Sequence, residues 1–186
     1  MSDVRVRAEL AKKSTGQLAV LTTEQKNEAL YSIARSIERE TDRILQANER
    51  DIQNGTDNGV SGALLDRLRL SETRLKDIVG GLESLLELPD PVGEVLESWR
   101  RDDGLSIEKV RVPLGVIGMI YEARPNVTVD ATGLGLKTGN AMLLRGSSSA
   151  LHSNRTLMEI MRHGLEKTDV PADAVQLVDY LHGWGT

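Results

Sequence analysis

The chain has 186 residues, with 28 acidic against 23 basic side chains and a formal net charge of −5 at pH 7, a size for one domain or one plus a helical extension. That balance excludes a dedicated nucleic-acid binder, which needs a basic surface to neutralise phosphates, and the absence of cysteine excludes a disulfide framework. No apolar run approaches the ~20 residues that span a bilayer, and the charged start Met1–Glu9 leads into no apolar stretch of a secretion signal. The expectation is a cytoplasmic protein with neither a membrane nor a nucleic acid as partner. With no phenylalanine, the core must come from Leu, Ile, Val and Ala, which suits helices packed on a parallel sheet.

Residues 1–90 read as helical. Thr22-Thr23-Glu24-Gln25 has the form of a capping box, in which a hydroxyl and an amide side chain satisfy the first free backbone N–H groups. Leu30, Ile33, Ala34 and Ile37 follow at helical spacing. Asn54-Gly55 and Asn58-Gly59 punctuate. Ser71 can cap a further helix, whose apolar face is Leu75, Ile78, Val79, Leu82, Leu85 and Leu86. Pro89 and Pro91 end it, because the residue before a proline is pushed out of helical geometry.

From Gly93 the character changes. Ser106–Val112 alternates apolar and charged residues, as a half-exposed strand does, and Pro113-Leu114-Gly115 turns into a buried apolar strand ending at Ile120. A polar turn follows, Glu122-Ala123-Arg124-Pro125-Asn126, then a helix from about Val127 that closes at Thr138-Gly139-Asn140. A second apolar strand, Ala141–Leu144, empties into Arg145-Gly146-Ser147-Ser148-Ser149. A helix over 150–167 and a loop marked by Pro171 lead to a third short strand at 175–178. Right-handed crossovers make strands 114–120, 141–145 and 175–178 parallel and put Asn126 and Arg145 at one sheet edge, the edge where open α/β sheets bind ligands.

Local sequence alone leaves these residues with plain alternatives. Asn126 suits a helix cap, Arg145 suits a strand end reaching solvent, and Gly146 with its serines suits an ordinary loop. No glycine-rich dinucleotide fingerprint or phosphate loop is present. His152, His163 and His182 lack metal-ligand spacing, so surface or capping roles are the default and no metal site is expected.

The ordered set Pro113-Leu-Gly-Val116, Arg124-Pro-Asn126, Lys137-Thr-Gly-Asn140 and Leu144-Arg-Gly-Ser147 resembles the aldehyde dehydrogenase superfamily. Within it, Tyr121-Glu-Ala-Arg-Pro-Asn-Val-Thr-Val-Asp130 and Leu144-Arg-Gly146 resemble the glutamate-5-semialdehyde dehydrogenases, also called γ-glutamyl phosphate reductases. The likeness covers about Ala8 to Asp179. Another aldehyde dehydrogenase is the broader alternative, against which Arg-Pro-Asn stands in place of Pro-Trp-Asn. The resemblance implies an α/β fold: a helical amino-terminal layer over 1–90, part of a Rossmann-type parallel sheet over 91–179, and a tail at 180–186 outside the family.

It also implies a function, the NADPH-dependent reduction of L-glutamyl 5-phosphate to L-glutamate 5-semialdehyde in proline biosynthesis, by a protein expected to form homo-oligomers when full length. In the family a cysteine displaces phosphate and NADPH delivers hydride to the thioester. Asn126 matches the asparagine whose amide donates to the developing oxyanion. Ala123, Arg124, Pro125, Arg145, Gly146 and Ser147 fall where the family meets its cofactor. Arg145 stands where a basic residue contacts the adenosine ribose or its 2′-phosphate, and a planar guanidinium suits a phosphate. Arg124 has two readings, contact with a substrate carboxylate or phosphate, or a structural pair with Glu122. Since this chain has no cysteine and thioacyl chemistry needs a thiolate, the alternative is a non-catalytic, truncated dinucleotide-binding fragment or a half-domain partner of a second polypeptide.

Overall fold

The computed structural model describes residues 3–179. Five helices lead: α1 (Asp3–Leu18), α2 (Thr23–Arg39), α3 (Thr41–Asp57), α4 (Gly62–Leu68) and α5 (Glu72–Glu87). The strands β1 (Val95–Arg100), β2 (Ser106–Val110) and β3 (Val116–Ile120) follow, then α6 (Asn126–Lys137), β4 (Ala141–Arg145), α7 (Leu151–Leu165) and β5 (Val175–Leu177). The amino-terminal layer is helical as its periodicity indicates. The capping box at Thr22 is formed in full, with Thr22 Oγ1 accepting from Gln25 N and Gln25 Oε1 accepting from Thr22 N. Ser71 likewise accepts from Arg74 N at the start of α5.

Helix α2 is the keel of the core. Ala29, Leu30, Ile33, Ala34 and Ile37 are wholly buried along one stripe, against which α5, α6 and α7 pack. Asn54-Gly55 does not interrupt α3. A Cβ on Gly55 would sit 2.9 Å from the Leu65 side chain, so this glycine is there to let α4 close in. Asn58-Gly59 is the real stop, with Gly59 at φ +69°.

The three expected strands form one parallel sheet in the order β3-β4-β5, with Val116 opposite Ala141 and Ile120 opposite Arg145. Two expectations need correction. The strand after Pro113 is an edge strand, not a buried one: Ile120 is 81% exposed, and β4 is the strand that both neighbours flank. Ser106–Val110 pairs antiparallel with β1, which the sequence did not announce. All of β1, and β2 apart from half-buried Ile107, is exposed, so the alternating pattern marks no core-facing side. His182 and the 180–186 tail lie outside the described residues.

Candidate active site

Because β3 and β4 are parallel neighbours in register, the loops that follow Ile120 and Arg145 leave the same sheet edge. Tyr121 N extends the ladder by donating to Arg145 O at 3.0 Å, which fixes the start of the first loop. Arg124 N then donates to Glu122 O at 2.8 Å. Pro125, with φ −58° and ψ −29°, is the cap residue of α6, and no side chain caps that end. Asn126 is therefore inside the first turn and does not cap the helix. Its Nδ2 donates to Asp130 Oδ2 at 3.0 Å. Burial pushes the Asp130 carboxyl above its ordinary range, and the Asn126 amide pulls it back.

Ala123 and Pro125 are buried, Ala123 against Ile52, Leu68 and Ala150. They offer a cofactor no side-chain group. Arg124 forms no ion pair with Glu122 among the described residues. It projects with Asn126 into a cleft of about 400 Å³ between α6 and the α4–α5 corner, floored by Leu70 and Ile78.

The second loop lines a separate recess of about 390 Å³, where Arg145, Gly146 and Ser147 face Tyr121, Leu151 and Val178. Ser147 Oγ accepts from Ser149 N at 3.2 Å, a local turn that holds the loop's shape. A Cβ on Gly146 would lie 2.2 Å from Asn154 Nδ2 and 3.1 Å from the Tyr121 ring. The missing side chain is thus used inside the protein. Asn154 belongs to a buried relay: Thr128 Oγ1 donates to Asn154 Oδ1 at 2.9 Å and, that hydrogen being committed, Tyr121 Oη donates to Thr128 Oγ1 at 2.6 Å. Burial raises the Tyr121 phenol. This relay ties β3, α6 and α7 together beneath both loops.

Helix α7 starts just after that recess, and a helix start is often where a phosphate sits. Here the place is taken. Asp51 from α3, only 2% exposed, accepts from His152 N at 3.1 Å and from Ser153 N at 2.7 Å. His152 Nδ1 lies 2.8 Å from the same carboxylate. Asp179 also lines this recess but is paired with Arg7 and Arg155, and the Arg145 guanidinium has no side-chain partner among the described residues, which leaves it available to an anionic ligand.

A curated γ-glutamyl phosphate reductase of Geobacillus kaustophilus is 54% identical over 179 residues, which is 96% of this chain and 43% of the relative. The chain is a homologue of the amino-terminal portion of γ-glutamyl phosphate reductases. It spans about 43% of the length of the curated relatives it matches. The crystal structure of the Thermotoga maritima γ-glutamyl phosphate reductase superposes with a TM-score of 0.95 at 40% identity, covering 97% of this chain and 44% of that one. An NAD-dependent benzaldehyde dehydrogenase of Corynebacterium glutamicum gives 0.71 at 19% identity over 95% of this chain and 36% of its own, which shows the shared aldehyde dehydrogenase fold. No family model matches the chain.

One stretch of the ordered motif set has a structural task here. In Lys137-Thr-Gly-Asn140, Asn140 Oδ1 accepts from Gly115 N at 2.9 Å while its Nδ2 donates to Thr138 O at 3.1 Å. Asn140 thereby pins the lead into β3 to the end of α6, through a turn that needs Gly139 at φ +71°. Lys137, 3% exposed, donates to Asn27 Oδ1 at 2.8 Å, and desolvation lowers its pKa. Sequence reading missed Asp51 and Asn154, and it had Tyr121 and Thr128 only as members of a motif, with no role for either. Each is a polar residue whose partner lies on another element, and no local pattern signals that.

Proposed function

We propose that this chain forms the amino-terminal part of a cytoplasmic enzyme that reduces L-glutamyl 5-phosphate to L-glutamate 5-semialdehyde in proline biosynthesis, with NADPH as the reductant. The observation that carries this reading is the 54% identity to a γ-glutamyl phosphate reductase over 179 residues, with Asn126 in the loop-to-helix turn after β3 and Arg145 at the end of the adjacent parallel β4. Asn126 donates one amide hydrogen to Asp130 and keeps a second for the carbonyl oxygen under attack. A neutral donor fixed beside that oxygen is typically worth roughly 3–4 kcal/mol as charge develops there. The free Arg145 guanidinium and the recess at the end of β4 fit the phosphate-bearing end of a dinucleotide, with Ser147 beside it. Gly146 and the start of α7 are already engaged by Asn154 and Asp51. Bound there, the cofactor would supply hydride.

A second reading is favoured by one fact, the absence of cysteine. With no thiolate to form a thioester, the 186-residue polypeptide assayed alone is a non-catalytic dinucleotide-binding piece or a half-domain partner. NADPH oxidation dependent on glutamyl phosphate by this polypeptide would overturn that. The enzymatic reading is tested in a full-length relative, where Asn126→Ala at the matching position lowers kcat roughly 10²–10³-fold with a smaller change in KM. An unchanged kcat would reject the role.

A further inference from the structure

Most arginines of the fold are tied to carboxylates: Arg35 to Glu38 and Glu83, Arg43 to Glu159, Arg155 to Asp179, and Arg162 to Asp173. Arg67, Arg69 and Arg124 are exposed and have no side-chain hydrogen bond or ion pair among the described residues. All three line the one cleft that also holds Asn126. The fourth arginine there, Arg74, is spent: it donates to Asp66 Oδ1 at 3.0 Å and to Arg69 O at 2.7 Å. That pair also neutralises Asp66. Asp130 accepts from the neutral Asn126 amide and keeps its charge, so Asp77 and Asp130 face the three unpaired guanidiniums and the cleft retains a cationic excess. Helix α6 opens onto the cleft with no acidic residue in its first turn and no side-chain cap, so its N–H groups add positive potential.

We propose that this cleft binds a small oxyanion, a carboxylate or phosphoryl group of a short aliphatic ligand, with Arg67, Arg69 and Arg124 as its cation set. Guanidiniums present planar, paired donors that match both groups. Left unpaired in a concavity, they keep that capacity for a ligand. The volume of about 400 Å³ suits a metabolite, and Leu70 and Ile78 offer its methylenes an apolar floor. Identifying the anion as one end of glutamyl phosphate rests on the reductase reading; the anion site itself does not.

The test uses the 186-residue chain at constant ionic strength set with chloride. Inorganic phosphate and glutarate are titrated separately while arginine Nε–H resonances are followed by NMR. Saturable shifts are expected, with the dissociation constant weakened roughly ten-fold in Arg124→Gln and in Arg69→Gln, the loss of one charge-assisted hydrogen bond. Arg50→Gln, which removes an exposed arginine on α3 outside the cleft, leaves binding unchanged. Tighter phosphate assigns the cleft to the phosphoryl end, and tighter glutarate to the carboxylate end. Shifts that stay linear for both anions, or an equal loss in Arg50→Gln, overturn the proposal. Asn126→Ala retains anion binding here, so failure of the oxyanion role in a full-length relative is scored separately.

Discussion

Asp51 and Ser153 stand 102 residues apart in sequence, yet one carboxylate oxygen of Asp51 accepts both the backbone N–H and the hydroxyl of Ser153 at 2.7 Å. A helix start needs acceptors for its first N–H groups. For α7 they come from α3, so this single contact joins the helical layer to the βα unit. Asn48 reinforces it, donating to Ser153 Oγ at 3.0 Å and to Leu68 O at 2.9 Å while accepting from Leu70 N at 2.8 Å.

Asp51→Ala should therefore cost about 2–4 kcal/mol, a lost cap plus a buried hydroxyl left without its acceptor. Asp51→Asn keeps an acceptor oxygen and should cost less. Urea denaturation midpoints of the two variants and the parent chain check the order. Equal midpoints for Asp51→Ala and the parent would show that solvent replaces the cap without loss.

Gly146→Ala places a Cβ 2.2 Å from Asn154 Nδ2, so either the loop or Asn154 must move. A loss of about 1–3 kcal/mol is expected from overpacking. Because Asn154 also accepts from Thr128, the two sites should couple. Gly146→Ala combined with Asn154→Ala should cost less than the sum of the single changes. Additive losses would mean that the glycine matters for the loop backbone and not for this contact.

The fold was legible where local chemistry decides it. The capping box at Thr22, the apolar stripe of α2 and the stop at Pro89 each depend on residues within a few positions, and the three parallel strands follow from short apolar runs between turn residues. The β1–β2 hairpin was half hidden because no buried face selects its side chains, so Val95–Arg100 carries no telling alternation. Gly55 misled because its reason lies in α4 and not in the α3 backbone. For the candidate site, sequence could name Asn126 and Arg145 but not their surroundings. The Tyr121–Thr128–Asn154 relay and the Asp51 cap exist only once distant elements are packed, and they decide which groups at the sheet edge stay free.

Lys26, 1% exposed, donates to Asp90 Oδ2 at 2.7 Å. Desolvation pushes the Asp90 carboxyl up, but the bond from Lys26, the Val92 N–H, the Lys26 charge and the Thr23 hydroxyl together hold it below its ordinary value. A carboxyl depressed in the folded state contributes stability above its unfolded pKa, about 4, and loses it as pH falls through the folded value. The stability difference between the parent and Asp90→Asn should thus be constant near neutrality and shrink below about pH 4. Lys26→Met should cost about 3 kcal/mol at pH 7 by stranding Asp90, a cost that should likewise shrink as Asp90 protonates in acid. Urea titrations at a series of pH values measure both; a difference unchanged from pH 7 to pH 2.5 would contradict them.

Arg145 is the residue on which cofactor choice turns under the proposed function. It ends β4, beside the edge strand β3, and none of the described carboxylates neutralises it, whereas Arg155 and Arg7 nearby share Asp179. NADPH and NADH differ only in the 2′-phosphate. If the Arg145 guanidinium holds that group, Arg145→Ala in a full-length relative should weaken NADPH by about 1.5–3 kcal/mol, the worth of a charge-assisted hydrogen bond, with little change for NADH. Arg145→Lys should recover part of the preference, since an ammonium keeps the charge but not the paired donors. Binding of each cofactor, measured directly so that turnover does not enter, separates the outcomes. Equal weakening of both would assign Arg145 to the ribose they share or to packing at the end of β4. No weakening of either would leave it a solvent-facing strand end, and the preference for NADPH would then have to come from residues elsewhere.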